Sequence, residues 1–189
     1  MNDDQDKTLV KQTLRGETKA FEMIVRKYQQ PLLNYIGRMV GERELALDFT
    51  QDVFVRAYGS LRSYEPRFKF STWLYRIASN LVIDHWRKKK IPTLSLNLPP
   101  NEDSESLTLD IADPGPSVVH RLEISEIRGR IEATLERLPA LLRELFIWRH
   151  VNGLSYEEMA EIKRMPVGTI KNRVFQAKEM VRRLLEETS

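Results

Sequence analysis

Residues 154–185 read LSYEEMAEIKRMPVGTIKNRVFQAKEMVRRLL, and this pattern predicts two short amphipathic helices with a tight connection between them. Ser155 and Glu158 have the spacing of a capping box, which begins the first helix. Pro166 suits the first turn of the second helix, because the backbone needs no intrahelical N–H there. Two helices joined by so short a turn are typical of a helix-turn-helix, so the segment indicates a helical fold.

The second helix of this pair has one apolar face and one polar, basic face. Its apolar residues recur every three or four positions from Val167 to Val181. Its polar face is rich in Arg, Lys, Asn and Gln, the side chains that hydrogen-bond base edges in the DNA major groove and neutralise phosphates. The alternative is an ordinary helical hairpin with a solvated polar face, but the capping box, the short turn and the basic face together favour DNA binding. The predicted DNA-binding residues are Arg164, Thr169, Lys171, Asn172, Arg173, Phe175, Gln176 and Lys178.

The composition of the chain excludes several classes of protein. Its 189 residues are 41% hydrophobic and 30% charged, with no cysteine. The hydrophobic fraction suffices for packed cores, and the lack of cysteine excludes disulfides and thiolate-ligated metal sites. The acidic N-terminus is unlike a signal peptide, and no uncharged run approaches the roughly 18 apolar residues of a membrane helix. We therefore expect a soluble, cytoplasmic protein without direct membrane insertion.

Charge is distributed unevenly along the chain. The formal net charge is +6 over residues 1–90, −5 over residues 91–120 and +2 over residues 121–189. The acidic segment also contains five of the nine prolines and the polar run NEDSES, a composition typical of a linker. On both sides of it the hydrophobic pattern is helical, with almost no β-type alternation. We therefore predict an all-α protein whose two small helical domains, residues 1–90 and 121–189, are joined by a flexible acidic linker over residues 91–120.

The first long helix of the N-terminal domain is predicted from apolar residues at spacings of three and four between Phe21 and Met39. Thr18 is expected to cap its start and Gly41 to end it. Pro31 is expected to kink or break the helix, because proline removes one backbone hydrogen bond and crowds the preceding turn.

Further helices are predicted over residues 42–58, 71–89, 116–138 and 139–150. In the first of these, Leu45, Phe49, Val53 and Ala57 are expected to face inward. Asn152-Gly153 is expected to make a turn before the capping box.

Aromatic and basic residues are concentrated between Tyr64 and Lys90. Unpaired nucleotides suit such a surface, because bases stack on aromatic rings while cations hold the phosphates. The alternative assigns Trp73 and Tyr75 to the core and the basic run after Trp86 to solvent. The residues predicted to contact melted DNA are Tyr64, Phe68, Phe70, Trp73, Arg76, Asn80, Asp84, Arg87 and Lys88.

Three segments together resemble the conserved regions of bacterial RNA polymerase sigma factors. They are DFTQDVFVRAYGSL (residues 48–61), FSTWLYRIASNLVIDHWRKKK (residues 70–90) and the helix pair over residues 154–185. The order and spacing of these segments make the resemblance specific, and it covers nearly the whole chain outside the linker. The two-domain form is similar to the extracytoplasmic-function (ECF) group, which lacks the additional domains of housekeeping sigma factors.

The resemblance implies a role for each segment. Residues 64–87 match the part that recognises and melts the −10 promoter element, and residues 154–178 match the helix-turn-helix that binds the −35 element in duplex DNA. The acidic linker matches a segment that threads near the polymerase active centre and the RNA exit path. The helix around residue 48 matches the part that grips the clamp helices of the β′ subunit of core RNA polymerase, although Leu45 and Leu47 stand where acidic residues are frequent. The residues implied there are Asp48, Gln51, Asp52, Phe54 and Arg56.

The resemblance also implies partners and a function. The expected partners are the β′ and β subunits of core RNA polymerase, promoter DNA in duplex and melted form, and an anti-sigma factor. The expected function is that of a promoter-specificity initiation factor, for a stress or envelope-response regulon, with no cofactor, no metal and no catalysis of its own.

Two other function classes stand beside it. A stand-alone helix-turn-helix regulator would leave the residue 48–61 helix and the aromatic, basic helix without a role. An enzyme such as a helical nuclease lacks support, because His120 and His150 are isolated and no Gly-rich phosphate loop occurs.

Overall fold

The computed structural model describes residues 3–90 and 129–187, in which every regular element is a helix, so the predicted all-α fold is confirmed. None of the helices described is long and apolar enough to cross a membrane. The N-terminal segment contains α1 (Asp3–Leu14), α2 (Thr18–Val40), α3 (Arg43–Gly59), a 3-10 turn (Leu61–Ser63) and α4 (Phe70–Lys90). The second segment contains helical residues 129–136 (α5), α6 (Ala140–His150), α7 (Tyr156–Lys163) and α8 (Val167–Glu186). The predicted linker, residues 91–120, and the start of the helix predicted over 116–138 lie outside the described residues.

The helix α1 was not predicted from the sequence, because its first turn is dominated by acidic residues. One of these, Asp6, is buried and has two partners: the hydroxyl of Tyr28 donates to its Oδ2 at 2.5 Å, and the ammonium of Lys27 pairs with its Oδ1. A buried carboxylate costs little when it is paired and hydrogen-bonded. These contacts with α2, together with the buried Leu9 and Val10, hold α1 against the rest of the N-terminal segment.

The helix α2 departs from the sequence prediction at two positions. It continues through Pro31 without a break, and Tyr28 and Leu32 on either side of the proline are fully buried. Packing on both sides therefore outweighs the one hydrogen bond that proline removes. Thr18 is the first helical residue instead of the cap: Glu17 occupies the cap position, without a side-chain hydrogen bond. Gly41 ends α2 as predicted, with φ of +78° and its N–H bonded to the Gly37 carbonyl.

The capping box and the short turn predicted for the helix-turn-helix are confirmed, whereas Pro166 is the cap residue before the second helix instead of part of its first turn. The backbone N–H of Glu158 donates to Ser155 Oγ at 3.1 Å, and the N–H of Ser155 donates to Glu158 Oε2 at 2.6 Å, so the capping box is complete. Arg164 adopts the left-handed conformation, with φ of +53°, and ends α7 within the predicted turn. The next helix, α8, begins directly after Pro166.

The two described segments pack against each other, α2 on α6 and α4 on α7. The centre of this contact is aromatic: the ring centroid of Tyr35 lies 5.7 Å from that of Tyr75 and 5.7 Å from that of Trp148. All three rings are almost completely buried. Asn152 donates to the Tyr75 hydroxyl at 2.9 Å, so the rim of this aromatic cluster is hydrogen-bonded as well.

A buried carboxylate lies beside these rings. Glu144 is only 2% exposed, and its Oε1 accepts a hydrogen bond from the Tyr35 hydroxyl at 2.7 Å. Its Oε2 forms an ion pair with the ammonium of Lys163, which also donates to Ser79 Oγ at 3.0 Å. Burial and the neighbouring Glu144 charge raise the pKa of Tyr35 well above its usual value, so Tyr35 remains a hydrogen-bond donor. The Glu144 hub, meaning Glu144 with Tyr35, Lys163 and Ser79, therefore joins α2, α4, α6 and α7.

We expect Glu144→Ala to lower the free energy of unfolding by about 3–5 kcal/mol, because it leaves the Lys163 ammonium buried without its counter-charge. Urea denaturation followed by circular dichroism measures this change.

Glu179→Ala is the matched control, because Glu179 pairs with Arg182 at 2.9 Å on the exposed surface of α8. Exposed pairs contribute at most about 1 kcal/mol, so this variant should unfold nearly as the parent does. Equal, small effects of both substitutions would contradict the importance of the hub.

Candidate functional site

The polar face of α8 is presented to solvent because its apolar face is anchored. Ile170, Val174 and Ala177 are buried in the core to which α6 and α7 also contribute. Every residue of the predicted DNA-binding set is therefore exposed or half-exposed. Thr169 and Arg173 are half-buried, and Arg164 is exposed in the turn. Five others are exposed along α8: Lys171, Asn172, Phe175, Gln176 and Lys178.

The Phe175 ring is the largest apolar group on this face, with 64% of its surface exposed. An exposed aromatic ring among basic residues suits contact with a thymine methyl group or with the sugar and base edges of a groove. The donors and acceptors around it, from Asn172 and Gln176, match the patterns on base edges. The exposed groups on this face are therefore of the kinds that contact base edges in duplex DNA.

The predicted stacking platform is corrected by the structure. Tyr64, Phe70 and Trp73 are buried, with ring centroids 5.4–5.7 Å apart in one cluster. The unpredicted α1 packs against both α4 and the 3-10 turn that precedes it, which accounts for the covering of this face. These rings are core residues and have no free face on which a base stacks. The alternative that assigned Trp73 and Tyr75 to the core matches their burial.

The rest of the predicted set for melted DNA lies on the surface of α4 and the loop before it. Phe68 is half-buried, with the guanidinium of Arg67 over its ring at 4.5 Å. Along α4 a polar stripe runs from Arg76 to Lys88, in which Arg87 Nη2 lies 3.1 Å from Asp84 Oδ1. The stripe consists of Arg76, Asn80, Asp84, Arg87 and Lys88, all exposed or half-exposed.

The first helix of the helix-turn-helix, α7, lies over the beginning of this stripe. Lys69 Nζ is 2.9 Å from Glu158 Oε1, and this contact raises the pKa of Lys69. Burial works to raise the pKa of Glu158, but the Ser155 N–H and the Lys69 ammonium together hold it below its ordinary value. Burial raises the pKa of Glu161, and the charge of the nearby Arg76 lowers it by a smaller amount. Acidic groups of α7 thus face basic groups of α4 and of the loop before it.

The exposed face of α3 is broader than the sequence predicted. Asp48, Gln51, Asp52 and Arg56 are exposed as expected, but Phe54 is buried, with its ring edge-on to Phe21 at 6.4 Å. Phe54 therefore belongs to the core and offers no ring at the surface. The exposed apolar residues of α3 are Leu47, Val55 and Tyr58; the sequence analysis noted Leu47 only as a departure from an acidic pattern and missed the other two.

The spacing of these exposed apolar residues could have been recognised in the sequence. Leu47, Gln51 and Val55 recur at intervals of four, so they share one helical face that also bears polar residues. Val55 is 70% exposed, which is unusual for a β-branched apolar side chain. The candidate polymerase surface of α3 therefore has an apolar centre, Leu47, Val55 and Tyr58, which shares its helical face with Gln51 and has other exposed polar residues along one side.

Within residues 3–90 and 129–187, no group of three His, Asp or Glu side chains is placed to hold a metal ion. The arrangement instead offers two polar, partly basic helix surfaces on α4 and α8 and one mixed surface on α3. Surfaces of this kind bind macromolecules.

Comparison with known proteins finds family matches over both described segments. Residues 24–91 match the family described as Sigma-70 region 2, and residues 128–181 match Sigma-70, region 4. The chain is 33% identical to the RNA polymerase sigma-H factor of Pseudomonas aeruginosa, over 98% of this chain and 96% of that protein. It is 35% identical to the ECF RNA polymerase sigma factor SigW of Bacillus subtilis, over 96% of this chain and 97% of that protein.

Two solved structures share the fold. CnrH in complex with the cytosolic domain of CnrY superposes with a TM-score of 0.72 at 23% identity, over 98% of this chain and 99% of that one. The sigma factor RpoE of Bartonella quintana, in complex with the anti-sigma factor NepR, superposes with a TM-score of 0.65 at 24% identity, over 89% of this chain and 98% of that one.

We expect Trp73→Ala to lower the free energy of unfolding by about 3–5 kcal/mol, because the substitution leaves a cavity among packed rings. Thermal and urea denaturation measure the effect. Asn80→Ala, seven residues along α4 and exposed, is the control and should change stability by less than about 0.5 kcal/mol. If the Trp73→Ala protein is as stable as the parent and fails only in DNA opening, Trp73 contacts DNA and is not a core residue.

Proposed function

Because the chain belongs to the ECF family of RNA polymerase sigma factors, we propose that it binds core RNA polymerase, recognises the −35 and −10 promoter elements and helps to open the DNA. The observation that carries this proposal is the presence of separate polar surfaces on α4 and α8, beside a mixed surface on α3. A stand-alone helix-turn-helix regulator needs only the α8 surface. The exposed apolar centre of α3 has no role in such a regulator.

The −35 element is read by the polar face of α8. A helix-turn-helix presents the N-terminal part of its second helix to the major groove. Thr169, Lys171, Asn172 and Arg173 occupy that part of α8, while Lys178 and Gln176 lie further along the helix. Arg164, in the turn before α8, extends the positive surface to the neighbouring phosphates.

The −10 element is read by the polar stripe of α4, with Phe68 in the loop before it. Arg76, Arg87 and Lys88 supply positive charge for the phosphates, and Asn80 and Asp84 supply hydrogen-bonding groups for bases. The buried rings of Tyr64, Phe70 and Trp73 act beneath this stripe as a rigid support.

Core polymerase is bound by the α3 surface, in which the apolar centre Leu47, Val55 and Tyr58 shares one helical face with Gln51. The exposed polar residues beside this face are Asp48, Asp52 and Arg56. An apolar centre with a polar border is the usual anatomy of a specific protein interface. The β′ subunit is the partner proposed for this surface, and the β subunit is the proposed partner of the C-terminal segment.

Promoter binding requires the two segments to separate. The −10 and −35 elements are centred about 25 base pairs apart, which is roughly 85 Å at about 3.4 Å per base pair. In the structure α7 lies directly on α4, and the ammonium of Lys163 in α7 donates to Ser79 Oγ in α4 at 3.0 Å. We therefore propose that core polymerase stabilises an open arrangement, and that the contact through the Glu144 hub is characteristic of the free protein.

An anti-sigma factor is proposed as the partner that prevents polymerase binding, since the Bartonella quintana sigma factor of the same fold was solved with one. We propose a cytoplasmic location, because core polymerase and promoter DNA are found there, and a stress or envelope-response regulon. In this proposal the protein acts by binding polymerase and DNA, and it catalyses no reaction of its own.

Run-off transcription tests the proposal as a whole. Core polymerase reconstituted with the full chain should start transcription at specific sites on a genomic fragment library, whereas core polymerase alone should not. Absence of any stimulated, specifically initiated transcript would reject the function.

We expect Arg173→Ala to weaken recognition of one −35 position by about 1–3 kcal/mol, because arginine reads guanine through two hydrogen bonds. Competition binding of the holoenzyme against promoters with single substitutions measures this. A uniform loss across all promoters would instead identify Arg173 as a phosphate contact. Arg137→Ala, an exposed arginine outside the helix-turn-helix, is the control and should leave recognition unchanged.

We expect Val55→Asp to weaken binding to core polymerase by at least about tenfold, because it places a charge in the apolar centre of the α3 surface. Fluorescence anisotropy of the labelled full chain with core polymerase measures the affinity. Leu14→Asp is the matched control, since Leu14 is also an exposed apolar residue but lies at the end of α1, outside every proposed binding surface. Equal affinities of the two variants would place the polymerase contact elsewhere.

A further inference from the structure

The loop that precedes α4, residues 65–69, folds into a turn. The backbone N–H of Phe68 donates to the Glu65 carbonyl at 3.1 Å, and Arg67 Nε lies 2.7 Å from Glu65 Oε2. Both side chains of this ion pair are more than half exposed, and exposed ion pairs contribute little to stability. The ion pair therefore does not by itself hold the turn against the helices.

A buried side chain supplies a stronger attachment for the loop. The Tyr64 hydroxyl donates to the backbone carbonyl of Phe68 at 2.7 Å. Tyr64 is only 6% exposed, and its ring packs against those of Phe70 and Trp73. Burial raises the pKa of Tyr64 to about 12, so the hydroxyl keeps its proton at neutral pH and remains a donor. The loop is therefore joined to the aromatic core through the end of one rigid ring.

The hydroxyl of Tyr64 is not needed to fill the core. A phenylalanine ring would occupy the same space, whereas a buried tyrosine hydroxyl requires a hydrogen-bond partner. The partner here is a carbonyl of the loop. A tyrosine at position 64 therefore orders the loop, which a phenylalanine would not do.

This hydrogen bond does not depend on the contact between the two segments. Lys69, at the end of the loop, lies 2.9 Å from Glu158 of the second segment, and this ion pair is lost in the open arrangement proposed above. Tyr64 and Phe68 both lie in the N-terminal segment. Their hydrogen bond is therefore retained when the segments separate on promoter DNA.

We propose that Tyr64 is a positioning residue for −10 recognition, and that its hydroxyl holds the loop in the conformation that receives an unpaired base. This inference rests on the proposed −10 function. The loop presents the half-buried Phe68 ring, with the exposed guanidinium of Arg67 over it at 4.5 Å. Unpaired bases stack on aromatic rings and on guanidinium groups. A loop that is ordered before binding loses less conformational entropy, so the hydroxyl raises affinity without touching the DNA.

The test uses holoenzyme assembled from core polymerase and the full chain, with a promoter identified by run-off transcription. The probes are fluorescent single strands of the −10 sequence of that promoter, and anisotropy measures their affinity. Tyr64→Phe keeps the packed ring and removes only the hydroxyl. It should weaken binding about three- to tenfold, the usual effect of losing one hydrogen bond, while the melting temperature stays close to that of the parent.

Abasic probes separate positioning of the loop from a general effect. One base is removed at a time along the −10 sequence, and the effect of Tyr64→Phe is measured on each probe. At the position that the loop receives, the losses from the missing base and from the missing hydroxyl should not add, because both remove the same interaction. An equal effect of Tyr64→Phe on every abasic probe would overturn the inference.

Tyr28→Phe is the matched control. It also removes one buried hydroxyl from the N-terminal segment, but this hydroxyl donates to Asp6 Oδ2 of α1, at 2.5 Å, instead of to the loop. Tyr28→Phe should lower the melting temperature and leave the affinity for the −10 probes unchanged. Equal losses of affinity in the two variants would assign the effect to the stability of the segment and reject a positioning role.

The parent holoenzyme separates this inference from the proposed function. If it binds the −10 probes no better than probes of scrambled sequence, the proposed −10 function fails. If it prefers the −10 probes and the Tyr64→Phe holoenzyme binds them equally tightly, the −10 function stands and the role of Tyr64 is rejected.

Discussion

The structure depends on one buried carboxylate, that of Glu144. A carboxylate removed from water is costly, and the cost is offset here by the Tyr35 hydroxyl and the Lys163 ammonium. Those partners come from different helices, so satisfying one charge also fixes α2, α6 and α7 relative to each other. Apolar packing of Tyr75 and Trp148 around the same point excludes water and strengthens the polar contacts.

The same contact determines what the free protein exposes. The polar face of α8 and the mixed face of α3 lie away from it and remain accessible. The stripe on α4 begins beside α7, where Arg76 is near Glu161. Polar contacts are suited to such an interface, because charged and hydrogen-bonding groups are also stable in water once the segments separate. An entirely apolar interface of the same size would leave a large exposed apolar patch after opening, and such patches promote aggregation.

Helical periodicity predicted much of this molecule because it depends only on neighbouring residues. The bounds of α3, α4 and α6, the complete Ser155–Glu158 box and the accessible face of α8 all follow from spacings of three and four and from local capping chemistry. The missed α1 shows the limit of that reasoning. Its acidic first turn resembles a solvated tail until Lys27 and Tyr28 of α2 supply partners for Asp6.

Sequence alone determined the all-helical class, the helix-turn-helix and the resemblance to sigma factors, since each rests on local pattern or on motif order. Tertiary structure decided which aromatic residues are buried: Phe54 and Trp73 became core, and Val55 stayed exposed. It also decided that α2 runs through Pro31 and that Glu144 joins the two segments. Helical periodicity depends on neighbouring residues and predicts which side chains share a face of a helix. Which face is buried depends on packing against helices that are distant in the sequence.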